Sequence, residues 1–268
     1  MRKSVKQQLA LRVLSTAALM AMVSSIATAA FADTYDLNKG SVDILAEGGK
    51  QYITQWEDES KGTYATDDKG EIKKREDADI TLTTKDKTTG ETKTTSNTVT
   101  IDAKEDNTAN VTLENVHIEQ PDSHWSGNTD PAPIEIKGDG NTKLELNGNN
   151  TVLSGSSKHA GIEKADVNGT GTLTIKDDLN DNGKEKSGTD ATGTLVAGGC
   201  YSGAGIGGGG YHDGKSYADT SNITITGGDI TANGGVYGAG IGAGCYGDAS
   251  NIRIEGNADV IAFGNSGA

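Results

Sequence analysis

The chain has 268 residues and a formal net charge of −14. Only 38 of the 236 residues after Ala32 are Leu, Ile, Val or Phe, below the roughly 20% under which a highly charged chain is usually disordered. That excludes a compact two-layer globule with a wide apolar core. It leaves disorder, or a fold with a thin core and a large surface.

Residues 1–32 read as a secretory signal. Arg2, Lys3, Lys6 and Arg12 make a basic start, an apolar run follows from Ala17 to Ala27, and Ala30-Phe31-Ala32 is a small-x-small cleavage site. The run is too short, and too broken by Ser24 and Ser25, to span a bilayer. These residues hold four of the 24 basic groups and none of the 38 acidic ones, so the remainder carries −18. A surface that negative repels nucleic acid and anionic lipid, and neither is an expected partner.

Residues 33–79 read as an N-terminal cap and charged loop region. Gln55–Asp79 is charged and irregular, and Lys85–Asn97 is rich in Thr and Lys. Both read as surface excursions, and a long N-terminal loop can cover an open strand edge.

From Ile80 the apolar residues fall in short alternating pairs. Ile80/Leu82, Val99/Ile101, Val111/Leu113, Ile134/Ile136, Leu144/Leu146, Leu173/Ile175, Ile223/Ile225 and Ile252/Ile254 are examples. Period-two alternation with Ile, Val and Thr predicts short strands with one buried face. Disorder would not produce so regular a pattern.

The second half repeats. Tyr201-Ser-Gly-Ala-Gly-Ile206 matches Val236-Tyr-Gly-Ala-Gly-Ile241, Ser221-Asn-Ile-Thr-Ile225 matches Ser250-Asn-Ile-Arg-Ile254, and Asp229-Ile-Thr-Ala232 matches Asp259-Val-Ile-Ala262. A degenerate earlier copy holds His159-Ala-Gly-Ile162, Gly171-Thr-Leu-Thr-Ile175 and Gly193-Thr-Leu-Val-Ala197. Three strand-sized pieces recur in about 30 residues, which is what a parallel β-helix shows. Stacking such units buries a narrow continuous core, and that accounts for the low apolar fraction. Another β-solenoid or a sandwich is the competing architecture. Residues 80–268 are assigned to the β-helix. Asn265-Ser-Gly-Ala268 restarts the repeat, so the chain is expected to be a fragment of a longer protein.

The elements Asn110-Val-Thr-Leu-Glu-Asn-Val-His-Ile118, Leu144-Glu-Leu-Asn-Gly-Asn-Asn-Thr-Val-Leu153 and the two Gly-Ala-Gly-Ile-Gly copies carry a resemblance. Residues 78–268 resemble the secreted, carbohydrate-binding-domain-containing β-helical proteins of Gram-positive cell surfaces. The resemblance implies a right-handed, single-stranded, pectate-lyase-like parallel β-helix of extracellular, cell-surface location. It also implies binding of acidic or plant-type polysaccharide, with calcium.

Candidate sites follow. Tyr201 and Tyr237 precede the Gly-Ala-Gly-Ile element, while Tyr211 and Tyr246 follow it. Equivalent positions would stack about 4.8 Å apart. An exposed row of flat rings suits the apolar faces of pyranose sugars. A structural ladder sealing a corner is the competing reading. Trp125, in a polar loop, is a further sugar-stacking candidate. Asp178, Asn180 and Asn182, with Asp190 near the twelfth position, match the start of a calcium loop but lack its bidentate Glu. A solvated acidic turn competes. The four histidines lack metal-ligand spacing and read as hydrogen-bonding surface residues. Cys200 and Cys245 occupy non-equivalent positions, which does not favour a stacked disulfide.

No residue is assigned a catalytic role. The expected function is a non-catalytic carbohydrate-binding or adhesion module whose partner is a polysaccharide or glycan. A pectate-type lyase and a structural stalk or protein-binding adhesin are the alternatives. For a lyase the only arginines after Ala32 are Arg75, in an irregular loop, and Arg253, on an outward strand position.

Overall fold

A computed structural model describes residues 33–58, 63–64, 66, 73–122, 131–164, 170–179, 184–187, 190–212, 215–216 and 218–265. These all belong to one unit, Ala32–Ala268. The expected signal segment, Trp125, Asn180 and Asn182 lie outside the described residues.

The alternating pairs are strands, as their period requires. In chain order they are β1 (Thr34–Asp36), β2 (Val42–Glu47), β3 (Lys50–Asp58), β4 (Thr63–Tyr64), β5 (Arg75–Glu76), β6 (Ile80–Thr83), β7 (Val99–Ala103) and β8 (Thr108–Glu114). Then come β9 (His117–Glu119), β10 (Ile134–Gly138), β11 (Asn141–Asn147), β12 (Asn149–Leu153), β13 (Ile162–Lys164), β14 (Thr172–Lys176), β15 (Thr194–Gly198) and β16 (Ile206–Gly207). The last are β17 (Tyr211–His212), β18 (Lys215–Ser216), β19 (Thr220–Ile225), β20 (Asp229–Asn233), β21 (Ile241–Gly242), β22 (Ala249–Ile254) and β23 (Asp259–Phe263). No α-helix occurs among the described residues, and none there is long and apolar enough to cross a membrane.

Three sheets hold nearly all of these strands. The first runs β1-β6-β8-β11-β14-β19-β22 and is parallel throughout. The second runs β9-β12-β15-β20-β23, also parallel. The third carries β2, β7, β10, β13, β16 and β21 in parallel, with β3 antiparallel on the edge of β2. From β8 to β16, successive strands enter the first, second and third sheets in rotation. The rotation resumes at β19 after the small β17–β18 hairpin. This all-β, parallel arrangement is compatible with a β-helix.

Register explains how so few apolar residues suffice. Val111, Leu144, Ile175 and Ile225 pair successively. So do Val42, Val99, Ile134, Ile162, Ile206 and Ile241. Each strand points alternate side chains inward, and like stacks on like. β8 shows this in its strict alternation of buried and half-buried residues. The two Gly-Ala-Gly-Ile copies are hydrogen-bonded neighbours, with Gly205 N donating to Ala239 O at 3.0 Å and Ile206 N to Gly240 O at 3.0 Å.

Corners obey backbone sterics. Gly207 (φ 131°) lies directly against Gly242 (φ 140°), and a Cβ on Gly207 would overlap the Gly242 carbonyl oxygen. Only glycine takes this conformation at that spacing. Asn222 and Asn251 occupy the left-handed region at φ 56° and 52°, and the Asn251 amide donates to Asn222 Oδ1 at 2.5 Å. Asn tolerates that region better than other side-chain-bearing residues.

The N-terminal part is more regular than its composition suggests. β1 and β2 already belong to the parallel sheets. Residues 55–58, expected to be irregular, complete the nine-residue strand β3. Polar Gln, Thr and Trp side chains hide its alternation, but Ile53 is buried opposite Ile44. β3 is flanked by β2 on one side and by β4 and β5 on the other, all antiparallel, and an antiparallel strand with one solvated face needs few apolar residues. Trp56 Nε1 donates to Asp43 Oδ2 at 3.1 Å and ties the hairpin across its face.

Candidate functional site

The glycine-rich turns before and after β16 and β21 carry the tyrosines. Tyr201 sits at φ 32° and Tyr246 at φ 64°. Tyr237 N donates to Tyr201 O at 2.7 Å, which places the two residues one above the other. Their rings are 5.0 Å apart between centroids, close to the inter-strand spacing, but inclined at 83°. The pair is therefore edge-to-face and not part of a flat, coplanar row. Tyr201 and Tyr237 remain 41% and 43% exposed, and Tyr246 is fully exposed. The Tyr237 phenol, hydrogen-bonded to that of Tyr201, holds the Tyr201 hydroxyl above its ordinary pKa. Tyr211 contributes backbone to β17, and its side chain lies outside the described residues. The described pair offers an exposed apolar ring surface and hydroxyls that donate and accept.

Next to this corner is a buried pair that the sequence did not announce. His159 was expected at the surface, yet it and Glu163 are 4% and 1% exposed. His159 Nδ1 lies 2.8 Å from Glu163 Oε2, which also accepts from Ala160 N at 3.1 Å. Burial pulls the imidazole pKa down, but the hydrogen bond and charge of Glu163, with a smaller contribution from Glu135, leave it raised. The available signal was a correlated exchange. Glu163 stands in register with Gly207, and His159 occupies the position of Gly203 and Gly238 in the later copies. Gly209 makes room, since a Cβ there would overlap Glu163 Oε2.

The acidic loop is crossed by lysines. Asp178 Oδ2 accepts from Lys176 Nζ at 3.2 Å, and Lys176 also reaches Glu145 at 2.7 Å. Asp177, not among the expected ligands, is the buried carboxylate. Its Oδ1 meets Lys186 Nζ, which donates to Ala191 O at 2.6 Å, and its Oδ2 accepts from Gly193 N at 3.1 Å. Asp190 Oδ2 accepts from Ser187 N at 2.8 Å. Among the described residues no three His, Cys, Asp or Glu side chains converge to hold a metal ion. Asp178 and Asp190 do not by themselves make a calcium donor set.

Cys200 and Cys245 are not joined by a disulfide, and Cys200 is buried. Arg75 pairs with Asp33, and Arg253, in register with Thr224, pairs with Glu255 at 3.3 Å. Both arginines are well exposed.

No family model, curated protein or solved structure matches this chain.

Proposed function

We propose that the strands wind as a right-handed parallel β-helix with three strands per coil, and that the chain is an extracellular, non-catalytic carbohydrate-binding or adhesion module. The rotation of successive strands through three parallel sheets supports the coil. The observation that carries the binding reading is the exposed edge-to-face pair Tyr201–Tyr237, with Tyr246 beside the same glycine-rich element. Three tyrosines held in solvent by turn backbone cost exposed apolar area that sugar stacking would recover. Affinity then comes from several weak contacts, with calcium as a bridging ion to be tested.

A glycan array with and without chelator is the direct test. Retention of a defined glycan that Tyr201→Ala, Tyr237→Ala and Tyr246→Ala together abolish in a folded protein supports the reading. Unaltered retention by that variant overturns the tyrosine site. Glycan silence with attachment to a host protein favours an adhesin, and unsaturated ends released from polygalacturonate favour a lyase.

A further inference from the structure

Asp77 lies between β5 and β6 and is only 6% exposed. The buried Gln51 of β3 clamps its backbone. Asp77 N donates to Gln51 O at 3.0 Å, and Gln51 Nε2 donates to Asp77 O at 3.2 Å. Asp79 N donates to Asp77 Oδ1 at 3.2 Å, while the Tyr35 hydroxyl at 3.0 Å and Asp33 N at 3.3 Å donate to Oδ2. A phenol and two backbone amides carry no positive charge. Burial, with the charge and hydrogen bond of Asp77, holds the Tyr35 phenol above its ordinary pKa, so it stays a neutral donor. Among the described residues no Lys, Arg or His forms an ion pair with Asp77. Arg75, two residues away, is held by the Asp33 side chain. A buried carboxylate without a cation forfeits the attraction that offsets its desolvation.

Asp33 is also the residue that follows the small-x-small site Ala30-Phe31-Ala32. The nitrogen that the expected cleavage frees is thus the one already aimed at the buried carboxylate. Its residue is fixed from the other side too, because Thr81 N donates to Asp33 O at 3.1 Å and begins the β1–β6 ladder. Hydrolysis adds water across the Ala32–Asp33 amide. The hydroxyl goes to the Ala32 carboxyl and the hydrogen to the Asp33 nitrogen, and a further proton from solvent makes that nitrogen an ammonium at pH 6.

We propose that signal cleavage after Ala32 also locks the fold: the new Asp33 α-ammonium forms an ion pair with buried Asp77 and fastens β1, the edge strand of the first sheet, to the core. The inference rests on the signal reading of residues 1–32 and is independent of the glycan reading. A charged donor makes a hydrogen bond roughly twice as strong as a neutral one, and low local dielectric favours it further. Tyr35, donating to the same oxygen, stands in register with Leu82 and packs against the core, so the pair reaches the interior through β1 itself. The precursor has an uncharged amide at that place, so its edge strand is held less firmly.

Sequencing of the exported protein is expected to begin at Asp33. The processed chain is then compared at pH 6 with the same chain retaining Ala32, whose amine lies one residue further out. Urea unfolding should give an unfolding constant about tenfold smaller for the processed chain. Asp77→Asn should shrink that ratio to within about twofold. A different first residue overturns the signal reading and this proposal with it. Equal stability of the two chains overturns the lock and leaves the signal reading intact. A tenfold ratio that persists in folded Asp77→Asn also overturns it. Should that variant fail to fold, transamination of the Asp33 α-amine to a ketone removes the charge without mutation. It is expected to cost the same tenfold, and no cost overturns the lock.

Discussion

Glu163 lies in register against Gly207, and its carboxylate is buried against His159 at 2.8 Å. One copy of the repeat thus carries an ionisable pair where the next copy carries glycines. The imidazole pKa is raised above its ordinary 6.5. A raised folded-state value means the stabilisation is complete below about pH 6.5 and is lost as pH climbs through the folded value. Urea midpoints should therefore fall between pH 6 and pH 8.5, and His159→Gln should flatten that slope. A wild-type midpoint that rises over this window contradicts the assignment.

Thr142 is fully buried between Ala109 and Leu173, and its hydroxyl has no partner among the described residues. Replacing the hydroxyl with a methyl removes an unsatisfied polar group without changing shape. Thr142→Val should raise stability by about 0.5–1.5 kcal/mol. Chemical denaturation measures it, and a loss of stability would show that the hydroxyl is satisfied in solution.

Gly207 and Gly48 both have positive φ, but only Gly207 meets backbone from the next strand. Alanine at Gly48 pays conformational strain alone, about 1 kcal/mol. Alanine at Gly207 must also displace the Gly242 carbonyl, and Gly207→Ala is expected to cost more than about 3 kcal/mol. Comparable thermal midpoints for the two variants would refute the close approach.

Lys186 is the partner of a carboxylate that is 6% exposed. Lys186→Met leaves Asp177 buried with, among the described residues, the Gly193 amide as its remaining donor. The expected loss is about 3–5 kcal/mol, with much of it recovered in Lys186→Met/Asp177→Leu. A double-mutant cycle reads the coupling directly, and additive losses would mean that the pair is not coupled.

Much of the strand pattern was legible because period two and like-on-like register leave a direct trace in sequence. Ile223 with Ile252, and Asp229 with Asp259, pair as their repeats align. β3 was not legible, because one of its two buried side chains, Gln51, is polar and only Ile53 is aliphatic. The inclination of Tyr201 against Tyr237 was not legible either, since spacing fixes separation but not ring rotation. Nor were the lysines at Asp177 and Asp178. An acidic run alone does not reveal that Lys176 and Lys186 fold back over it.

Because each inward residue is answered by its counterpart one period later, whole periods are interchangeable. Duplicating or deleting one would re-form the same ladders, as it does in repeat proteins. A single inserted residue within a strand would instead turn the column inside out from that point. Such a gene can drift in length by whole modules while remaining intolerant of the smallest frame-preserving slip.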